Sequence, residues 1–153
     1  MILKFLIGAS SLLQSALPRV LTPASDSEDE KSLSLFRDKY MHTLRKNTQI
    51  CVNSLLNVSE LKTNAPKGAM YIMLQIDISK LFDINDDKEF AEKLLTEENL
   101  SVLPGACFNM GGYIRLVTCP PEEIFTEAVE RLKMFCSRHN IVNQSMAVAV
   151  TDK

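Results

Sequence analysis

The sequence predicts an α/β chain of the α+β kind, in which helices cover one small sheet. Three observations predict it. Apolar residues alternate strictly along Met70–Ile78. They recur at helical spacing over Leu33–Leu55 and again over Ile124–Cys136. The chain has 153 residues, 46% of them hydrophobic, which is one domain's length with enough apolar material for a core.

The first segment, Met1 to Leu17, reads MILKFLIGASSLLQSAL. An early Lys4, an apolar stretch and small residues near its end give it the form of a secretory signal peptide. The alternative is a buried amphipathic helix that ends before Pro18. A membrane span is excluded, because Ser10, Ser11, Gln14 and Ser15 interrupt a stretch that is already short. Thr22 to Lys31 (TPASDSEDEK) is an acidic loop feeding a helix, with Ser25, Asp26 or Ser27 as the N-cap. Leu33, Phe36, Tyr40, Leu44, Cys51 and Leu55 then share one face of a helix expected to run close to Leu56. Such a helix is about 40 Å long. That length suits a brace on a larger body better than a free-standing small domain.

Asn64-Ala65-Pro66-Lys67-Gly68 is a turn. In the strand that follows, Met70, Ile72, Leu74, Ile76 and Ile78 form a wholly apolar face. Asp86-Asp87-Lys88-Glu89 has the form of a capping box, and Phe90, Leu94 and Leu95 give its helix a buried side. Ser101–Leu103 is a short strand stopped by Pro104-Gly105. Gly111-Gly112 turns the chain into a second clear strand, Tyr113 to Thr118. Pro120-Pro121 opens the last helix, whose core stripe is Ile124, Phe125, Ala128, Val129, Leu132, Phe135 and Cys136. Arg138 and His139 fall at its negative end. The tail, Ile141 to Lys153, shows alternation in MAVAV.

Several functions are excluded or disfavoured. Seventeen basic against 19 acidic residues leave a net charge of −2, unlike a general nucleic-acid binder. Cys51, Cys107, Cys119 and Cys136 form no C-x-x-C pair, and His42 and His139 lie far from any cluster, so a zinc site is not expected. Scattered cysteines fit a reducing compartment. Asn57-Val58-Ser59 and Asn143-Gln144-Ser145 match the glycosylation triplet, which matters only in a secreted protein. The 5 glycines form no phosphate-cradling loop, and no Ser/His/Asp arrangement is visible. Lys80 leaves a strand into a polar loop with nothing nearby to activate it, so it reads as a surface residue rather than a Schiff-base lysine.

Arg115 is the sharpest anomaly, a cation inside the otherwise apolar Tyr113-Ile114-Arg115-Leu116-Val117. A buried guanidinium needs a partner, and its planar fork matches a carboxylate. Three arrangements satisfy it: a bound ligand, a structural ion pair, or an edge strand facing water. Pro104-Gly105 with Phe108 shapes a bend beside this strand. The small residues Gly68-Ala69 before the first strand permit a close backbone approach.

KGAMYIMLQIDI, then FAEKLLTEENLSVLPGACF, then GGYIRLVTCPPEEIFTEAVERLKMFCSRHN together resemble the C-terminal part of tyrosine aminotransferases, fold-type-I enzymes dependent on pyridoxal 5'-phosphate. The resemblance runs from about Lys67 to Asn140. Leu6 to Leu21 is similar to the family segment preceding the long helix, which makes the signal peptide a mimic. The resemblance implies the small domain of a fold-type-I aminotransferase. It divides the chain into a remnant of the large domain (1–21), a loop and connecting helix (22–57), the small domain (58–140) and a tail (141–153). It implies that Arg115 binds the α-carboxylate of the substrate, with Gly105 and Phe108 as active-site supports. It implies amino-acid and 2-oxo-acid substrates, 2-oxoglutarate among them, a homodimer, and a cytoplasmic or alternatively mitochondrial enzyme. No nucleic acid or membrane partner follows. The family's Schiff-base lysine and phosphate-binding groups belong to the large domain, and no position here matches them. The 153-residue chain alone is therefore expected to be inactive. An alternative function is a non-catalytic amino-acid-binding or assembly module built on the same arginine.

Overall fold

The structure, a computed structural model, describes residues 10–143. The signal-peptide reading rests largely on residues before these, and the MAVAV alternation lies wholly outside them. Of the described residues, those up to Tyr40 form one compact unit and those from Met41 on form another.

The first unit holds α1 (Ser11–Leu21) and the start of α2 (Glu28–Leu55). Two expectations are corrected here. Helix α1 does not end before Pro18. It passes through the proline and closes at Thr22, whose N–H donates to Pro18 O at 2.9 Å. Every residue of α1 is exposed, with Leu12 at 77% and Val20 at 64%. The upstream part of the α2 stripe is not buried either, since Phe36 is exposed and Leu33 and Tyr40 are only partly covered. No described residue of this unit is buried, because two helical stretches alone cannot enclose a core. The acidic start of α2 is as expected. Ser27 Oγ accepts the Glu30 N–H at 3.1 Å, which makes Ser27 its capping side chain.

The second unit contains the rest of α2, then β1 (Leu61–Thr63), β2 (Tyr71–Ile76), α3 (Asp87–Glu98), β3 (Leu103–Pro104), β4 (Tyr113–Val117) and α4 (Glu122–His139). The strands form one antiparallel sheet in the order β1-β2-β4-β3. Alternation in β2 sends Ile72, Leu74 and Ile76 to one face, where Ile114 and Leu116 of β4 join them. Cys51 and Leu55 of α2, Phe90 and Leu94 of α3, and Phe125, Val129, Leu132 and Phe135 of α4 complete this core. Phe90 and Phe135 meet edge to face at 5.0 Å. Leu95 and Ile124, assigned to the core by spacing, are exposed at 49% and 59%; each lies just beside its helix's apolar stripe.

Polar ties fix the helices on the sheet. Asp86 Oδ1 accepts the N–H groups of Lys88 and Glu89 at 2.9 and 2.8 Å, while the Glu89 carboxylate reaches back to the Asn85 N–H rather than to Asp86. Asn99, left-handed at φ 53°, ends α3, and Arg131 donates to the freed Glu98 carbonyl at 2.7 Å. Fully buried Asn47 of α2 donates to Thr118 O at 2.9 Å and Pro120 O at 2.8 Å, pinning the β4–α4 connection. Asn47→Ala leaves both carbonyls without this donor and is expected to cost about 2 kcal/mol, read as a lower urea midpoint at unchanged m-value.

Gly68 departs from expectation. No described atom lies within 4 Å of a Cβ placed there, so its smallness serves no close approach in this chain. The left-handed residue of that turn is Ala69, at φ 71°.

Candidate active site

Among the described residues of the second unit, the helices cover one face of the sheet and leave Tyr71, Leu103 and Val117 exposed on the other. Across the open face the register pairs Met73 with Arg115, Tyr71 with Val117, Gln75 with Tyr113, and Leu103 with Arg115. Arg115 therefore does not enter the core, because its neighbours Ile114 and Leu116 take the inward positions. Nor does it sit on an edge, because β4 is an inner strand. The structural ion pair is also not realised, since no carboxylate of the described residues forms a salt bridge with Arg115. Instead its Cζ lies 4.4 Å from the Phe108 ring centroid and 5.1 Å from that of Tyr71. Its Nε is buried with no hydrogen-bond partner. Among the described residues this half-buried cation has no carboxylate partner, and its planar fork has the geometry to pair with one.

The bend that carries Phe108 is built tightly. Gly105 opens a short helical turn, Gly105–Phe108, and accepts the Met110 N–H at 2.9 Å. A Cβ at Gly105 would stand 2.0 Å from Met110 O and 2.9 Å from both Cβ and O of Tyr113. Asn109 at φ 57° and Gly112 at φ 79° complete the reversal into β4. Arg115, Phe108 and Gly105 are thus brought together.

Two neighbours escaped the sequence reading. Tyr71 shares Arg115's face only because of the β2–β4 register, which the sequence does not display. Asp87 looked like part of a helix cap. Asp87 is 4% exposed as a residue, and its carboxylate accepts the N–H of Ala106 at 2.7 Å and of Gly112 at 3.3 Å. Burial opposes its ionisation, yet these backbone donors outweigh that and hold its pKa below the ordinary value.

The remaining candidates are structural. Lys80 donates to Ser59 O at 2.8 Å and pairs with Asp77. His139 is buried, with Nδ1 2.6 Å from Asp83 and Nε2 3.1 Å from Glu97. For both acids burial works against ionisation, while hydrogen bonds from His139, Lys93 and Arg138 pull the pKa below the usual range. The thiol of Cys51 is pushed up to about 12 by burial, and that of Cys136 is raised as well, so neither is reactive near neutrality. All cysteines are free. Among the described residues no group of His, Cys, Asp and Glu could hold a metal ion, and no helix is long and apolar enough to cross a membrane.

The depressed carboxylates set an acid limit. Asp83, Asp87 and Glu97 bind protons less readily folded than unfolded, so their stabilisation is complete above the ordinary carboxylate range near ~4. It is lost as pH falls through their lower folded values. The urea midpoint is expected to drop steadily from about pH 5 downward. Asp87→Asn should shallow that slope.

Comparison with known proteins places this architecture. The family model "Aminotransferase class I and II" matches residues 2–132. The chain is 37% identical over 134 residues to tyrosine aminotransferase of Dictyostelium discoideum, covering 88% of this chain and 31% of that protein. The human tyrosine aminotransferase is 30% identical over 134 residues, again 88% of this chain and 28% of the relative. The crystal structure of tyrosine aminotransferase from Leishmania infantum superposes with a TM-score of 0.72 at 31% identity, over 91% of this chain and 32% of that one. The chain thus spans about three-tenths of the length of these relatives. Its helices and small antiparallel sheet match a domain of a fold-type-I aminotransferase. This chain belongs to the class I and II aminotransferase family.

Proposed function

We propose that this chain forms the substrate-carboxylate side of an aminotransferase active site. The amino group would pass between an aromatic amino acid, tyrosine foremost, and 2-oxoglutarate. The observation that carries this reading is Arg115, a cation with no carboxylate partner among the described residues, held on an open sheet face between Phe108 and Tyr71. Its fork is suited to the α-carboxylate that both substrates share. Gly105 and Phe108 support it by shaping the adjacent bend.

Enzymes of this family depend on pyridoxal 5'-phosphate, which supplies the electron sink for the substrate carbanion. Lys80 does not fit its covalent attachment, because the ammonium is engaged by Asp77 and Ser59. The groups that hold the cofactor would belong to a large domain, and the complete enzyme would be a cytoplasmic homodimer.

The pure 153-residue chain, given cofactor, tyrosine and 2-oxoglutarate, is expected to show no transamination above free cofactor. Joined in frame to a relative's large domain, it should become active. Turnover by the chain alone would overturn the half-site reading. A second reading, a non-catalytic amino-acid-binding module on the same arginine, is favoured by the engagement of Lys80 with Asp77 and Ser59. Saturable micromolar binding of tyrosine to the chain by calorimetry would favour that reading.

A further inference from the structure

We propose that Asp87 is a positioning residue for Arg115: its carboxylate locks the loop from Gly105 to Gly112, and that loop holds the Phe108 ring against the guanidinium. This deepens the reading of Arg115 as a carboxylate site and rests on it.

The two aromatic walls of Arg115 have different origins. Tyr71 is placed by sheet hydrogen bonding, since β2 and β4 pair residue by residue from Tyr71–Val117 to Gln75–Tyr113. Phe108 has no such frame. It rides on a short turn between β3 and β4, and the residue is 41% exposed. The guanidinium depends on these walls. With Nε buried and unpaired, neither an ion pair nor a hydrogen bond at that atom sets its orientation. Ring contact at 4.4 Å to Phe108 is the closer of its two π contacts.

Besides the turn's own backbone bonds, Met110 N–H to Gly105 O and Asn109 N–H to Ala106 O, the side chain that holds it is Asp87. Its two oxygens take separate amides, Oδ2 the Ala106 N–H and Oδ1 the Gly112 N–H, on either side of Phe108 in the chain. The acid sits in the first turn of α3, at the helix's positive end, and is buried. Helix α3, packed in the core through Phe90 and Leu94, thereby reaches the turn that carries Phe108 through one side chain. Charge-assisted bonds to two amides restrain the loop more strongly than neutral ones.

The test uses the full 153-residue chain and reads the arginine Nε–Hε resonances by nitrogen-15 NMR, the Arg115 signal being the one lost in Arg115→Lys. Asp87→Ala and Phe108→Leu should each remove the Phe108 share of that signal's ring-current displacement, leaving the Tyr71 share, and speed rotation about Nε–Cζ. Asp87→Asn keeps the side chain's shape and should move the signal part of the way, so the test survives if Asp87→Ala does not fold. Val129→Ala, a core truncation that lowers stability elsewhere, should leave the signal in place. An Arg115 signal unchanged in both Asp87 variants, or displaced equally by Val129→Ala, would overturn the proposal. No ligand enters the measurement, so failure here counts against the lock alone. The carboxylate reading falls separately if Arg115→Ala in the completed enzyme leaves carboxylate affinity unchanged.

Discussion

Gly105→Ala should destabilise the second unit by about 3 kcal/mol or more, near the upper end for overpacking. The cause is local and hard. The added Cβ meets the Met110 carbonyl at 2.0 Å and the Tyr113 backbone and Cβ at 2.9 Å. None of these is the far end of a flexible side chain, so the whole bend must shift. Tyr113 begins β4, two residues before Arg115, and the Met110 N–H is bonded to Gly105 itself. The substitution therefore disturbs the bend, its closing hydrogen bond and the entry to the strand together. Gly111→Ala is the matched control. Only Asp87 Oδ1, at 4.0 Å, lies near its Cβ, so the change should stay within about 0.5 kcal/mol. Urea unfolding followed by circular dichroism reads both.

Arg115→Ala should have the opposite profile, a small effect on stability and a large one on ligand. Arg115 has no ion-pair partner within the described chain, so its removal breaks no salt bridge. In a polypeptide completed with a large domain, loss of the guanidinium strands the substrate carboxylate. The cost for such a pair is about 2–5 kcal/mol, a loss of some thirty- to several-thousand-fold in affinity. Arg115→Lys should recover only part of it. Lysine restores the charge as a point but not the planar fork. A variant that unfolds the chain as much as it weakens binding would point to a structural role instead.

Much of this fold is legible in the sequence because its periodicities are strong. The alternation in β2 and the stripe of α4 name most of the core, and the capping acids of α3 mark its start. Errors concentrate where the burying partner is not encoded locally. Phe36 and the leucines of α1 are apolar at helical spacing, yet stand exposed because the described part of the first unit encloses no core. Leu95 and Ile124 lie beside a helical stripe rather than in it. Pro18 marks a helix end by local rule but is tolerated inside α1. Arg115 announces itself as a cation in an apolar strand. Its open face becomes visible only once β4 is known to lie between β2 and β3. The pairing of Asp87 with Ala106 and Gly112 links positions far apart in the chain, and no local signal distinguishes it from an ordinary helix cap.

Whether Arg115 takes a ligand carboxylate can be read by deleting each partner in turn. In the completed enzyme, dissociation constants are measured for 3-(4-hydroxyphenyl)propionate and for 4-ethylphenol, its counterpart without the carboxylate, against native Arg115 and Arg115→Ala. The native protein should strongly prefer the acid, and Arg115→Ala should abolish the preference while leaving 4-ethylphenol binding nearly unchanged. An equal loss for both ligands, or a preference that survives the substitution, would contradict carboxylate binding by Arg115.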